Sequence, residues 1–214
     1  MQMEPQKSKI FFSSDHHFWH SRILEYCPNR KYETIEEMNE DYVRLWNTIV
    51  FPEDTVYYIG DFAMAIRPVE LFTNRLNGKK ILISGNHDWC HSSHKKSNTK
   101  EKQAAMIDLY KSYGWHDVCE DMYLDTPEGD LFALCHLPYK DGDLGIHSEG
   151  KRYSNLYPED TGTVLLCGHV HQNWKTKTTS KGTLMINVGV DVWDGKPVSL
   201  EQIKELVKEH NNAR

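Results

Sequence analysis

Apolar positions along the chain fall into two periods. Short apolar runs occur at residues 10–14, 55–59, 80–83, 131–135 and 163–167, each bounded by glycine or polar residues. Runs this short, rich in β-branched and aromatic residues, predict buried strands. Helical spacing governs other stretches. In 34–50, Ile35, Met38, Tyr42, Leu45, Trp46 and Ile49 recur at three and four, with Thr34 and Glu37 placed as a capping box. In 101–113 the buried face is predicted to run through Ala105, Ile107, Asp108, Leu109 and Tyr113, with Gly114 as the stop. In 199–210, Leu200, Ile203, Leu206 and Val207 form a stripe that Ser199 can cap. A shorter helix is predicted at 68–76, with Pro68 near its first turn and Asn77-Gly78 as its end. These stripes predict core packing, not a cofactor surface.

Two hairpins complete the pattern. Residues 122–124 and 131–135 flank a turn rich in Asp, Pro and Gly, and 174–190 carries Lys181-Gly182 at its centre. Two stretches lack periodicity. Residues 89–102 read either as a lid or as a solvated loop. Residues 139–162 form a long polar loop that reads as functional or disordered. Residues 1–8 read as a loose tail on one domain spanning 1–214.

The polar residues gain meaning from where the strands end. The 10–14 run ends in Asp15-His16-His17, and the 55–59 run in Gly60-Asp61. The 80–83 run leads through Ser84 to Gly85-Asn86-His87-Asp88. The last two end in His136-Leu137-Pro138 and Gly168-His169-Val170-His171. Ligands of open α/β sheets bind at such strand ends. In an extended or tightly turned segment, i and i+2 face the same way, so Asp15 with His17, and His169 with His171, are expected to converge. His16 then turns away, and His20 can enter the same pocket. Polar loops explain any one of these residues, and Asp15 alone reads equally as a helix cap. They do not easily explain five strand ends of one kind. The glycines before the polar groups fit backbone packed closely around a site.

Composition narrows the chemistry. Hydrophobic content of 39%, charged content of 26% and a net charge of −6 are ordinary for a soluble globular chain. They give no pull toward nucleic acid or anionic membrane. No apolar stretch reaches membrane-spanning length. Five cysteines with no CxxC pair argue against a disulfide framework and a thiolate zinc site, so a reducing cytoplasm is expected. Cys135 and Cys167 sit in apolar runs as small core residues. Histidine is the unusual component, with 12 residues, most of them clustered. Imidazole and carboxylate donors without thiolate suit Mn, Fe, Zn, Co or Ni better than Ca or Mg. Seven donors exceed one tetrahedral ion and suit two ions sharing a carboxylate, an arrangement that clamps both oxygens of an in-line displacement at phosphorus.

The ordered set Asp-x-His, Gly-Asp, Gly-Asn-His-Asp, His before Leu-Pro, and Gly-His-x-His resembles the calcineurin-like metallophosphoesterase superfamily. It spans Asp15 to His171, about three quarters of the chain. Ser14-Asp15-His16-His17-Phe18-Trp19-His20, followed by Glu37-Met38-Asn39 and Trp46-Asn47, is also similar to a subgroup of small bacterial and phage phosphoesterases. The resemblance implies a four-layer α/β/β/α sandwich. It implies that Asp15, His17 and His171 bind one divalent metal and Asn86, His136 and His169 a second. Asp61 would bridge them, with manganese expected before iron, zinc, nickel or cobalt. A hydroxide between the metals would then attack a phosphodiester or phosphomonoester while His87 assists the leaving oxygen. Asp88 either orients His87 or caps its loop. His20 lies outside the superfamily set and is not taken as a ligand.

Substrate choice then falls to the loops. Lys151 and Arg152, with Arg67, Lys95 and Lys96, are the candidate phosphate contacts, although solvated surface charge explains each alone. With no large cap insertion the cleft reads as open and permissive, which favours phosphodiester or varied phosphoester substrates over one small monoester, so the expected partner is a phosphoester small molecule or a nucleotide-like substrate. A nuclease would need a sustained basic track or a stacking platform and is less favoured. A catalytically silent protein-binding scaffold would lack ligands that are present here.

Overall fold

The computed structural model describes residues 8–141 and 155–213. Their α/β fold is built from two five-stranded mixed sheets and five α-helices. The chain opens with β1 (Ile10–Ser13), a one-turn α1 (Ile23–Tyr26) and the long α2 (Ile35–Ile49). Then come β2 (Thr55–Tyr58), α3 (Ile66–Phe72), β3 (Lys79–Ile83), α4 (Lys100–Ser112) and β4 (Asp117–Cys119). The second half supplies β5 (Asp121–Asp125), β6 (Leu131–Cys135), β7 (Leu165–Cys167), β8 (Thr176–Thr178) and β9 (Leu184–Asn187). It closes with β10 (Val198–Ser199) and α5 (Leu200–Asn212).

The first sheet runs β10-β1-β2-β3-β4, with β1 to β4 parallel and β10 antiparallel on β1. The second runs β5-β6-β7-β9-β8, with β6, β7 and β9 parallel between antiparallel edge strands. Parallel strands deliver their C-terminal ends to one edge, which places five polar strand ends along two sheet edges. Alternation across the pleat sorts neighbouring side chains to opposite faces. Phe11, Val56 and Leu82 join Met38, Tyr42 and Trp46 of α2, Phe72 of α3 and Tyr110 of α4 in one core. Phe12, Ile59 and Ile83 join Phe132, Leu134, Leu166 and Ile186 of the second sheet, with Leu200 and Ile203 of α5, in another. A third cluster takes Ala133, Leu165 and Met185 from the far face of the second sheet and covers them with Leu137, Tyr139 and Tyr157. Among the described residues no helix joins that third cluster, so the outer helical layer expected there falls on none of them.

Two elements differ from their sequence-based expectation, and three were not expected. Thr34 caps α2 by accepting from the Glu37 N–H, but Glu37 reaches back to the N–H of Glu33, not Thr34, so the box is displaced by one residue. The buried face of α4 runs through Met106, Ile107, Tyr110 and Tyr113, leaving Ala105 and Asp108 exposed. α1, β4 and β10 went unpredicted because each is too short to carry a period. Lys151, Arg152 and residues 1–7 lie outside the described residues. Among the described residues no helix is long and apolar enough to cross a membrane.

Candidate functional site

The strand ends do not simply run on. Asp15, His17, Asp61, His169 and His171 all adopt left-handed backbone, with φ of 60°, 51°, 56°, 69° and 47°. Such conformations cost on the order of 1–3 kcal/mol each for residues with a Cβ and persist where the surroundings over-determine them. Backbone hydrogen bonds between neighbouring strand ends supply that determination. The Asp15 N–H donates to Gly60 O, the His17 N–H to Asp61 O, and the His169 N–H to the Asp15 carboxylate, at 3.0–3.2 Å. Gly60 (φ 79°) and Gly85 let the loops close on one another. A Cβ on Gly60 would stand 2.6 Å from Gly85 N and His136 Nδ1, and one on Gly85 would collide with the Asp61 carboxylate.

This backbone gathers two groups of donors, each with its ligand atoms within 4.8 Å of one another: Asp15, His17 and His171, and Asp61, His136 and His169. Asp61 Oδ2 lies 3.2 Å from His136 Nε2 and 3.6 Å from His17 Nε2, so it stands between the groups. Asp15 and His17 converge as expected, with Oδ1 and Nε2 4.0 Å apart. His169 and His171 do not face the same way. Their left-handed backbone sends them to different groups, which corrects the i, i+2 expectation for that pair.

The hydrogen bonds on these side chains face away from the centre. His136 Nδ1 meets Ile59 O at 2.8 Å, and His171 Nδ1 meets Asp191 Oδ2 at 2.9 Å. Each pairing places the proton on Nδ1 and leaves an Nε2 lone pair for a ligand. His136 Nε2, both ring nitrogens of His17 and both amide atoms of Asn86 are buried with no hydrogen-bond partner. An unpaired buried polar group costs about 1–3 kcal/mol, and so many together fit a cation-binding centre. Asn86 is 3% exposed, and its amide is an uncharged oxygen donor of the kind a cation can use. Tyr157 OH lies 3.1 Å from His169 Nε2.

The electrostatics agree. Burial raises the Asp15 carboxyl above its ordinary range. Burial also works to raise Asp61, but the imidazoles of His136, His87 and His17 outweigh it and hold Asp61 well below that range. His136 shows the converse, as burial opposes its charge yet Asp61 and Asp15 push it up to about 9. Burial drives His17 well below the ordinary imidazole value and His169 down to about 3. The carboxylates thus demand positive charge, and a divalent cation would supply it while leaving the Nε2 lone pairs of His136 and His171 free to donate.

His87 and Asp88 have separate roles. The His87 N–H donates to Asp61 Oδ1 at 3.0 Å, and its ring, with 25% of the side chain exposed, faces the cavity over the two groups. Asp88 is fully buried and accepts N–H groups from Gly85, Asp61 and Phe62 at 2.8, 2.9 and 3.1 Å. Of the two readings of Asp88, these contacts match the loop cap, since all three partners are backbone N–H groups and none belongs to the His87 ring. A turn closed by Asp88 N–H to Gly85 O carries the adjacent Asn86 and His87, of which Asn86 is buried and the His87 ring lines the cavity.

Sequence reasoning missed Asp191 and Arg30. Arg30 grips both Asp191 oxygens at 2.7 Å and donates to the carbonyls of Asp15 and His16 at 2.6 and 3.0 Å. Asp191 follows β9, so the strand-end rule extended to 184–187 would have found it, whereas nothing marked Arg30. Cys27 Sγ sits 3.3 Å from His171 Nδ1, but Arg30 and His171 already engage Asp191, so Cys27, His171 and Asp191 form a hydrogen-bonded network. The cavity measures about 570 Å³, and Arg22 is its lining arginine. Arg67 pairs with Glu70 and Lys96 lies over Trp89, neither of them on that lining.

No family model matches the chain. An uncharacterized protein of Methanocaldococcus jannaschii is 28% identical over 211 residues, covering 96% of this chain and 95% of that one. The crystal structure of a protein of unknown function from Aquifex aeolicus superposes with a TM-score of 0.62 at 23% identity, covering 94% of this chain and 100% of that one. The phosphopantetheinyl hydrolase of Mycobacterium tuberculosis superposes with a TM-score of 0.48 at 12% identity, covering 86% and 89% of the two chains, too loosely to bear on function. The chain thus shares its α/β fold with the Aquifex protein, and its His and Asp groups could hold metal.

Proposed function

We propose that the chain is a phosphoesterase that works with two divalent metal ions, a single-domain member of the calcineurin-like superfamily. The observation that carries this reading is Asp61 standing between two buried groups of His and Asp donors. Asp15, His17 and His171 would hold one ion, and Asn86, His136 and His169 the other, with Asp61 shared. Bound divalent ions, manganese foremost, supply Lewis acidity toward phosphoryl oxygens and acidify water at neutral pH.

The chain's own residues do the rest. Nδ1 contacts to Ile59 O and Asp191 fix the rings of His136 and His171, so their Nε2 atoms need no reorganisation. His87 has its backbone N–H anchored on Asp61 and its ring at the cavity wall, where a proton on its imidazole can pass to the leaving oxygen. The substrate is a small phosphodiester or phosphomonoester, met in the cytoplasm.

The test combines metal analysis with turnover. The protein should retain about two divalent ions and hydrolyse an aryl phosphodiester or monoester with Mn²⁺. His87→Ala should lower turnover roughly 10²–10⁴-fold with bound metal unchanged. Loaded protein inert with Mn, Ni, Co, Zn and Fe would overturn the proposal, and a His87→Ala protein emptied of metal would overturn the role given to His87.

A further inference from the structure

The cavity extends beyond the metal-binding groups. It shares His17, Asp61, His87, His169 and His171 with them, then continues along Ile23, Tyr26 and Met64, with His20, Arg22 and Gln172 beside these. Among the described residues that line this outer part there is no carboxylate, so a ligand there meets apolar surface and one guanidinium, whose Nε lies 3.8 Å from Glu25 Oε2 outside the lining. A series of rings leads into it from the centre. The His17 and His20 centroids are 5.7 Å apart, and those of His20 and Tyr26 6.0 Å. Tyr26 is 50% exposed and Met64 39%, large apolar side chains left open beside a buried polar centre. Their positions are set from below. Gln172 donates to Tyr26 O at 3.2 Å, the Arg22 guanidinium lies 5.0 Å from the Tyr26 centroid, and Met64 O accepts from Trp89 Nε1 at 2.9 Å. Buried His20 Nδ1 has no hydrogen-bond partner.

We propose that this outer wall is a subsite for the ester group of the substrate and selects a planar aromatic one, aryl or heteroaryl, over an alkyl one. The inference rests on the phosphoesterase reading, which places the phosphoryl group over Asp61 and His87. An ester group leaving from there runs outward along His20 and Tyr26. Planar rings gain there from offset stacking, from the thioether of Met64 and from the Arg22 cation, while a short alkyl group reaches none of them.

Phosphonates test the subsite without turnover. Calorimetry on the Mn²⁺-loaded protein should show phenylphosphonate binding about tenfold more tightly than methylphosphonate. Tyr26→Ala should remove most of that ratio by weakening phenylphosphonate alone, and Tyr26→Phe should restore it. Metal content and unfolding midpoint, measured on each variant, show that the ring and not the fold was changed. Equal affinity for the two phosphonates, or a ratio untouched by Tyr26→Ala, overturns the subsite while aryl ester turnover leaves the phosphoesterase reading standing. Failure of both phosphonates to bind a loaded protein that also turns nothing over overturns both.

Discussion

Asp191 ties two parts of the site together. It holds His171 Nδ1 at 2.9 Å on one oxygen, and Arg30 grips both oxygens while its other N–H groups hold the carbonyls of Asp15 and His16. Arg30 and Asp191 are both buried, with side chains 1% and 0% exposed. Removing one partner of such a pair strands a charge and costs about 3–5 kcal/mol. Asp191→Asn is therefore expected to lower stability by about that amount in urea unfolding and to weaken metal binding roughly 10–100-fold. Titration with Mn²⁺ reads the second effect under conditions where the variant is folded, and unchanged affinity would mean that Asp191 has no part in orienting His171. The residues of the two donor groups stood out in the sequence because each lies where an apolar run ends in polar residues. Those that hold them did not. Arg30 acts through backbone carbonyls, and a carbonyl leaves no mark in a sequence. Asp88 shows the same limit, since its three partners are backbone N–H groups and its place next to His87 suggested a contact that the fold does not make.

Among the elements, legibility followed length. The α2 stripe was readable because fifteen residues carry four turns of period, and α5 likewise over thirteen. β10 has two residues and α1 four, below the length at which any period can be seen. α4 was found but rotated in expectation, because Ala105 and Leu109 suit either face, whereas Tyr110 is buried in the core and accepts from the Trp89 N–H. Caps were readable in type and less so in detail. Ser199 and Gln202 make the reciprocal box that Thr34 and Glu37 only approximate. Ser199→Ala should cost about 1 kcal/mol, seen as a shift of the urea midpoint with an unchanged slope. Ser199 also pairs with Phe11 as part of β10, so a loss well beyond the capping value would show that the edge strand depends on the cap.

At the scale of the molecule, the two groups of His and Asp donors lie where two sheets meet. Asp15, Asp61 and Asn86 follow β1, β2 and β3 of the first sheet, while His136, His169 and His171 follow β6 and β7 of the second. No local pattern announces which strands share a sheet, because the parallel pairings join residues far apart in the chain, so the alignment of the two edges could not be read. On the proposed function, that alignment would couple metal binding to folding. Each group takes donors from both sheets, and an ion bound there resists their separation. Ligand binding to the folded state alone stabilises by about 2.7 kcal/mol at a concentration 100 times Kd. For a chain of this size each kcal/mol moves Tm by about 2–4 °C, so saturating Mn²⁺ should raise Tm by roughly 5–10 °C and a chelator should reverse it. Asp61→Asn should lose most of the increment, since Asp61 faces both groups, whereas Tyr26→Ala should keep it. A Tm indifferent to metal that is demonstrably bound would mean that the ion binds the unfolded chain as well as the folded one, and the two sheet edges would then not be what assembles its site.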